Sequence, residues 1–202
     1  MTYHYTFPTV IFEENNKTLS EQMLPLAIKY LDTHGSIFNT NPNHISTANN
    51  KIAEELILND PEVKPFVDYI TYQTDEFLKF QRINYKKYTY KPIILFNKIS
   101  KFGAHNLHCH PNCIISGCFY LDVPEGSSKI LFKDPRTHHK YIQLEPNFNE
   151  GSGDLNCLWP DMIKTVKTGD FLMWNSWLDH EVLPNLVDST RYTMVFNIGV
   201  NL

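Results

Sequence analysis

The chain has 202 residues, 42% of them hydrophobic and 13% aromatic, which is enough to bury a substantial core. Its formal net charge of -4 and pI near 6.1 predict no basic surface for duplex nucleic acid, so we expect a small molecule or a protein as partner. No apolar run reaches bilayer-crossing length, and the N-terminus lacks the features of a signal peptide. We therefore expect no membrane association and a cytoplasmic location.

The cysteines agree with a reducing compartment. None of the four, Cys109, Cys113, Cys118 and Cys157, belongs to a CxxC pair. Three of them crowd one short region, where disulfides among them would be strained. We expect reduced thiols that pack as small apolar side chains, rather than disulfides or a zinc site.

The first 89 residues predict mainly helices. Apolar residues recur at helical spacing from Leu19 to Thr33, and Gly35 follows as a stop signal. Further helices are expected from Lys51 to Leu58 and from Pro61 to Phe80. The intervening stretch SIFNTNPNHISTANN is polar and lacks periodicity, so we expect it to be a loop.

From Tyr90 onward the pattern changes to short β-branched and aromatic runs, which predict antiparallel strands in a sandwich or barrel. These runs are KPIILFNKI, CIISGCFYLDV, SKILFK, TGDFLMWN and STRYTMVFNIGV. Between them, residues 134–165 have little regular pattern, and a connection of that length predicts a functional lid. We interpret residues 1–202 as one domain, with helical support in 1–89 and a β core in 90–202.

Histidines form the most informative cluster in the chain. His105, His108 and His110 lie within the run GAHNLHCHPN, and His180 follows in WLDHEVLPN. Imidazole is the commonest metal-binding side chain, so His108 and His180 predict a metal site built across a sheet. Isolated histidines such as His44 are expected at the surface.

Strand alternation sharpens this hypothesis. Residues two apart in an extended segment point to the same side, so His108 and His110 are expected to face together. A strand that continued without a bulge would carry Ser116, Cys118 and Tyr120 on the same face.

The last strand predicts a polar face and an apolar face. Arg191, Thr193 and Asn197 fall on one face, and the other face is apolar and aromatic: Tyr192, Met194, Phe196 and Ile198. Burying a guanidinium beside a hydroxyl and an amide is costly unless a polar or anionic group meets them. A carboxylate ligand would do so through a two-point contact with Arg191 and a hydrogen bond from Thr193. The alternative is a structural ion pair between Arg191 and one of Asp179, Glu181 and Asp188.

These residues carry a family resemblance. The segments HCHPNCIISGCFYLDVP, ILFKDPR, GDFLMWNSWLDHEVLPN and STRYTMVFN resemble iron(II)- and 2-oxoglutarate-dependent oxygenases, in a branch seen in phage and marine bacterial genomes. The resemblance covers roughly Tyr90 to Asn201. It implies a mainly β fold with added helices, in which a double-stranded β-helix (a jelly roll, cupin-like) is braced by the N-terminal helices. For a phage-encoded chain, the expected location is the host cytoplasm.

The resemblance also implies roles for single residues. A ferrous ion would bind His108 and His180, and 2-oxoglutarate would be anchored by Arg191 with help from Thr193. The alternation argument adds two pocket-facing candidates for binding 2-oxoglutarate, Tyr120 and Asn97.

The chain departs from the family pattern at one position. The usual motif has Asp or Glu two residues after the first histidine, completing a ligand set of two histidines and one carboxylate. Here that position is His110, which we favour as the third ligand because its spacing directs it to the metal. Asp134 and a water are the alternatives. His105 has the opposite parity, and we expect it to orient a ligand or to face solvent.

The function predicted is that of an iron(II)/2-oxoglutarate-dependent dioxygenase, a hydroxylase that uses molecular oxygen on a small molecule or a protein side chain. Two other classes remain open: a three-histidine cupin-type metalloenzyme that does not use 2-oxoglutarate, and a non-catalytic jelly-roll binding module. Trp174 and Trp177 are interpreted as core or pocket wall. The sequence does not identify the substrate.

Overall fold

The computed structural model describes residues 8–48, 50–136 and 161–201. Its helices are α1 (Lys17–His34), α2 (Lys51–Asn59) and α3 (Lys64–Phe80), with a short 3-10 helix at Tyr85–Lys87. Its first strands are β1 (Ile11–Asn15), β2 (Ser36–Phe38), β3 (Asn41–Ser46), β4 (Thr89–Ile99) and β5 (His105–His108). The remaining strands are β6 (Ile115–Asp122), β7 (Ile130–Lys133), β8 (Asp161–Lys164), β9 (Asp170–Asn175), β10 (His180–Val182) and β11 (Arg191–Asn201).

The helices agree with the sequence pattern, and local capping explains where α1 begins and ends. The Asn16 side chain accepts a hydrogen bond from the Leu19 amide at 3.0 Å, and the Gly35 amide donates to the Leu31 carbonyl at 3.0 Å. Such bonds satisfy backbone groups that have no partner inside a helix. The third helix begins at Lys64 rather than Pro61, and Pro65 lies in its first turn, where a missing N–H costs nothing.

Two antiparallel sheets face each other. The strand order is β1-β9-β6-β11-β4-β3-β2 in the seven-stranded sheet and β5-β10-β7-β8 in the four-stranded sheet. This is the double-stranded β-helix, or jelly roll, that the sequence resemblance implies.

The chain buries two apolar clusters. The larger contains Met194 and Phe196 and packs the helices against the outer face of the seven-stranded sheet. The smaller contains Tyr120, Phe132 and Trp174 and lies between the two sheets. The apolar face predicted for the last strand is therefore confirmed, and its polar face is turned towards the four-stranded sheet.

The loop predicted for residues 36–50 is wrong in its first part, because two strands form there. Strand β3 pairs with β4 although its sequence, NPNHIS, is polar. Strand β3 is stabilised by backbone hydrogen bonds to β4 and to the residues at the ends of β4. The Thr47 amide donates to the Phe96 carbonyl at 3.0 Å, and the Ser100 amide donates to the Asn43 carbonyl at 2.9 Å. The helical half of the chain thus contributes β1, β2 and β3 to the large sheet.

The lid predicted after Asp134 falls mostly on residues 137–160, which lie outside the described residues. Its last part, Asp161–Lys164, is not irregular but forms β8, which pairs with β7. No helix in the described part of the chain is both long and apolar enough to cross a membrane.

Candidate functional site

Two histidines are fixed opposite each other by the four-stranded sheet. His108 ends β5, His180 begins β10, and the two residues are direct partners in the antiparallel register. Their ring centroids lie 4.3 Å apart. His110 follows β5, and its amide donates to the Ser176 carbonyl at 3.0 Å.

The three side chains form a group that could hold a metal ion. One donor atom from each of His108, His110 and His180 lies within 4.8 Å of the other two. A second group of this kind was not found elsewhere in residues 8–48, 50–136 and 161–201. The structure therefore brings together the three histidines that the sequence singled out.

Backbone carbonyls orient two of the rings. The Nδ1 atom of His108 lies 2.7 Å from the Asn106 carbonyl, and that of His180 lies 2.9 Å from the Leu178 carbonyl. A carbonyl can only accept, so each neutral ring carries its proton on Nδ1. Nε2 is then left with a free lone pair, as a metal ligand requires.

Burial keeps the group uncharged. It is the largest cause that lowers the pKa of each ring, to about 4 for His110 and to about 3 for His180, and neighbouring histidines lower it further. The pKa of His108 is also lowered, mainly by burial. Neutral imidazole is the form that binds metals, so the group is in its metal-binding state near neutral pH.

His105 belongs to the same cluster in spite of its parity. His180 pairs with His108 and Val182 pairs with His105. The two paired positions are three residues apart on β5 but only two residues apart on β10, so β5 contains a bulge. This bulge turns His105 onto the side of His108, where the two rings stack with centroids 4.0 Å apart. Burial lowers the pKa of His105 to about 2. His105 was expected to orient a ligand or to face solvent; its partly buried ring stacks on His108, the candidate metal ligand.

His44 was predicted at the surface, and that prediction is wrong. It is 1% exposed, and its ring lies 5.2 Å from that of His105 and 5.0 Å from that of Phe38. Its Nε2 atom lies 3.0 Å from Asn97 Oδ1. Nothing in the sequence indicated this position, because the pattern around His44 predicted a loop rather than β3.

The four residues proposed from sequence for 2-oxoglutarate lie on the inner face of the large sheet. Thr193 is paired with Asn97 on one side and with Tyr120 on the other, and Arg191 is two residues away on β11. All four are buried. The contact between Asn97 and His44 links this polar face to the histidines.

Two buried donors on this face have no hydrogen-bond partner in the part of the chain that the structure describes. Arg191 donates from Nη1 to the Ser128 carbonyl at 2.9 Å and lies 5.5 Å over the Tyr120 ring. Its Nε atom and the Tyr120 hydroxyl make no hydrogen bond within the described residues. Burial is the main cause that raises the pKa of Tyr120 well above its usual value, so the hydroxyl keeps its proton.

The ion pair considered for Arg191 does not form. No carboxylate among the described residues pairs with its guanidinium, and Asp188 is bound by Lys101 at 2.8 Å. Asp134, the alternative third ligand, accepts hydrogen bonds from Arg136 at 2.6 to 3.2 Å.

The strand that carries His108 does not continue to Tyr120. Tyr120 would have shared a face with His108 and His110 on one unbroken strand, but a turn at residues 109–114 separates β5 from β6. His108 and His180 lie on the four-stranded sheet and Tyr120 lies on the seven-stranded sheet. The two sets still converge, because the inner faces of the sheets face each other.

The family comparison agrees with this geometry. Residues 95–197, about half of the chain, match the model of a family described as "Putative 2OG-Fe(II) oxygenase". A comparison with curated proteins gave no significant match.

Solved structures share the fold. A prolyl-4-hydroxylase from Pseudomonas putida is 9% identical, with a TM-score of 0.62 over 95% of this chain and 92% of that one. HygX from Streptomyces hygroscopicus, solved with nickel and 2-oxoglutarate, is 14% identical, with a TM-score of 0.56 over 95% and 83%. A Trichoplax adhaerens prolyl hydroxylase, solved with a hypoxia inducible factor peptide, is 14% identical, with a TM-score of 0.55 over 94% and 83%. Because the identities are this low, the likeness establishes a common fold and no more.

Proposed function

The chain belongs to the 2OG-Fe(II) oxygenase family, whose members use iron(II) and 2-oxoglutarate, and we propose that it is a hydroxylase whose metal site is its histidine group. The iron ligands in this proposal are His108, His110 and His180. The observation that carries it is the convergence of their three donor atoms within 4.8 Å.

The donor set fits iron. Neutral imidazole binds ferrous iron readily, and the two rings held by backbone carbonyls have Nε2 available. With three neutral ligands the protein would leave both positive charges of the metal uncompensated. An anionic cosubstrate would then supply the charge that the usual carboxylate ligand provides elsewhere in the family.

His110 is the third ligand in this proposal. Its ring centroid lies 4.9 Å from that of His108 and 5.3 Å from that of His180. The competing carboxylate, Asp134, already accepts hydrogen bonds from Arg136. A water in the third position would leave the partly buried His110 without a role.

The polar face would hold 2-oxoglutarate. Arg191 is 2% exposed, has an unpartnered Nε atom and lacks a carboxylate partner among the described residues, so an anionic ligand would satisfy it. Thr193 and Asn97 lie in the same row, and the Tyr120 hydroxyl offers a second unused donor. A hydrogen bond to a charged group contributes on the order of 1.5 to 3 kcal/mol.

The iron, 2-oxoglutarate and dioxygen supply the oxidising chemistry when bound. The residues of the chain would bind and orient these groups and exclude water from them. Arg191 and Thr193 would fix the distal end of the cosubstrate, while the sheet holds His108 and His180 in register. Phe132 and Trp174, buried beside His180, would keep that side of the site dry.

The substrate is proposed to be a small molecule or a protein side chain. Two of the structural neighbours are prolyl hydroxylases, and one was solved with a peptide. The net charge of -4 does not favour duplex nucleic acid. We also propose a cytoplasmic location, because Cys109, Cys113 and Cys118 are free thiols.

The test is uncoupled turnover. With iron(II) and oxygen, we expect the purified chain to consume 2-oxoglutarate slowly even without its substrate. The His108→Ala variant should not. Equal consumption by both proteins would contradict the proposed metal site. Turnover that does not depend on 2-oxoglutarate would favour the three-histidine cupin-type enzyme.

A further inference from the structure

A tryptophan borders the histidine group between the two sheets. Trp174 is on β9 with 2% of its surface exposed. Its ring centroid is 4.8 Å from that of His180 and 4.9 Å from that of Phe132, and both contacts are edge-on. The indole is therefore a wall of the candidate metal site.

The indole N–H of Trp174 has no hydrogen-bond partner among the described residues. An indole nitrogen can only donate, so a neighbouring donor cannot satisfy it. Buried polar groups in folded proteins are nearly always paired, and an unpaired one calls for an explanation such as a missing ligand.

Nearby polar side chains are already engaged with one another. Ser116, the register partner of Trp174 on β6, donates to Asn197 Oδ1 at 2.7 Å and lies 2.8 Å from the Ser176 hydroxyl. These side chains stabilise each other and leave the indole N–H available. The unused donors proposed for 2-oxoglutarate, Tyr120 hydroxyl and Arg191 Nε, lie elsewhere on the sheet.

The position of Trp174 distinguishes the two ends of the cosubstrate. Ser116 and Tyr120 are four residues apart on β6, which corresponds to about 13 Å along a strand. Trp174 is the register partner of Ser116 and contacts His180, whereas Thr193 is the register partner of Tyr120. A carboxylate held by Arg191 is therefore too far along the strands to reach the indole, whereas an oxygen bound at the histidine group lies beside it.

We infer that the indole N–H of Trp174 donates a hydrogen bond to an oxygen of the keto-acid end of 2-oxoglutarate. This inference rests on the proposed function. It assigns the chain a donor at the metal end of the cosubstrate, separate from Arg191 at the distal end.

The test observes this N–H directly. The chain has three tryptophans, so a Trp159→Phe and Trp177→Phe double variant leaves Trp174 as the single indole. In the 15N-labelled double variant, with zinc replacing iron to avoid paramagnetism, one indole N–H resonance is followed by NMR. Zinc alone, zinc with 2-oxoglutarate and zinc with oxalate are compared, because oxalate retains only a keto-acid-like end. Binding is measured in parallel by calorimetry.

We expect the resonance to move downfield and to exchange more slowly with solvent when either 2-oxoglutarate or oxalate binds to the zinc-loaded protein. Bound 2-oxoglutarate that leaves the resonance unchanged would overturn the inference while the proposed function stands. A full shift with zinc alone would assign the N–H to a metal-bound water instead. A shift with 2-oxoglutarate but not with bound oxalate would exclude the keto-acid end. Absence of 2-oxoglutarate binding would contradict the proposed function itself.

A substitution gives an independent measurement. Trp174→Phe keeps an aromatic ring but removes the donor, so the dissociation constant for 2-oxoglutarate should rise about tenfold or more, as for other hydrogen bonds to charged groups. The matched control is Trp177→Phe, the same change at a side chain that is 54% exposed. Equal affinity in both variants would contradict the inference.

Discussion

His108 and His180 face each other across two neighbouring antiparallel strands, with their ring centroids 4.3 Å apart. Each ring is also held at Nδ1 by a backbone carbonyl two residues earlier. The sheet and the local backbone together position these two side chains, so their geometry does not depend on a bound ion. The third histidine lies beyond the end of β5 and depends on the following turn.

Replacing either strand histidine should abolish metal binding. The His108→Ala and His180→Ala variants each lose one imidazole from a group that offers three, and we expect neither to retain ferrous iron after gel filtration. Iron content per protein, measured by elemental analysis, is the readout. His34→Ala, which changes a histidine at the end of α1, serves as the control and should bind normally. Full iron content in both site variants would exclude this metal centre.

Two substitutions at His110 separate the candidates for the third ligand. His110→Ala should weaken iron binding, whereas His110→Asp, which restores the ligand set usual for the family, should preserve or strengthen it. Iron dissociation constants of the two variants provide the comparison. If His110→Ala binds iron as tightly as the unchanged protein, the third position belongs to Asp134 or to water.

Loss of the guanidinium should affect 2-oxoglutarate and not the metal. Arg191→Met replaces the guanidinium with an uncharged side chain that makes no such hydrogen bond. The loss of a hydrogen bond worth on the order of 1.5 to 3 kcal/mol corresponds to roughly ten- to hundredfold weaker binding of 2-oxoglutarate. Arg191→Lys keeps the charge but cannot make the two-point contact. Its affinity for 2-oxoglutarate should therefore lie between that of the unchanged protein and that of Arg191→Met. Calorimetry with zinc-loaded protein measures both. Unchanged 2-oxoglutarate affinity in Arg191→Met would refute the anchor.

Alternation predicted the polar face of β11 correctly because the pairing of that strand with β4 is regular from Arg191 to Asn201. The same rule failed for His105, since a bulge in β5 changes the parity of the strand and no residue type marks its position. Strand alternation also gave no indication that His44 lies beside the histidine group. Strand β3 has a polar sequence, and its pairing with β4 is a tertiary contact that local propensity does not encode.

The large sheet provides a test of packing that is independent of the metal. A methyl group at Gly117 would overlap the Phe196 ring and the Leu172 carbonyl, so Gly117→Ala should destabilise the fold by about 1 to 3 kcal/mol. At Gly199 the nearest atom would lie 3.6 Å away, an ordinary contact, so Gly199→Ala is the matched control. Urea unfolding of the two variants gives the difference. Equal stability would mean that the sheet can relax around Gly117.

The central claim is that one site holds iron and 2-oxoglutarate together. Anaerobic titration tests it most directly, because the metal-to-ligand charge-transfer band in the visible spectrum arises only when both are bound to each other. We expect the band to develop when 2-oxoglutarate is added to the iron(II)-loaded protein, to be absent in His180→Ala, and to require more 2-oxoglutarate in Arg191→Met. A protein that binds iron but never develops the band at saturating 2-oxoglutarate would contradict the account.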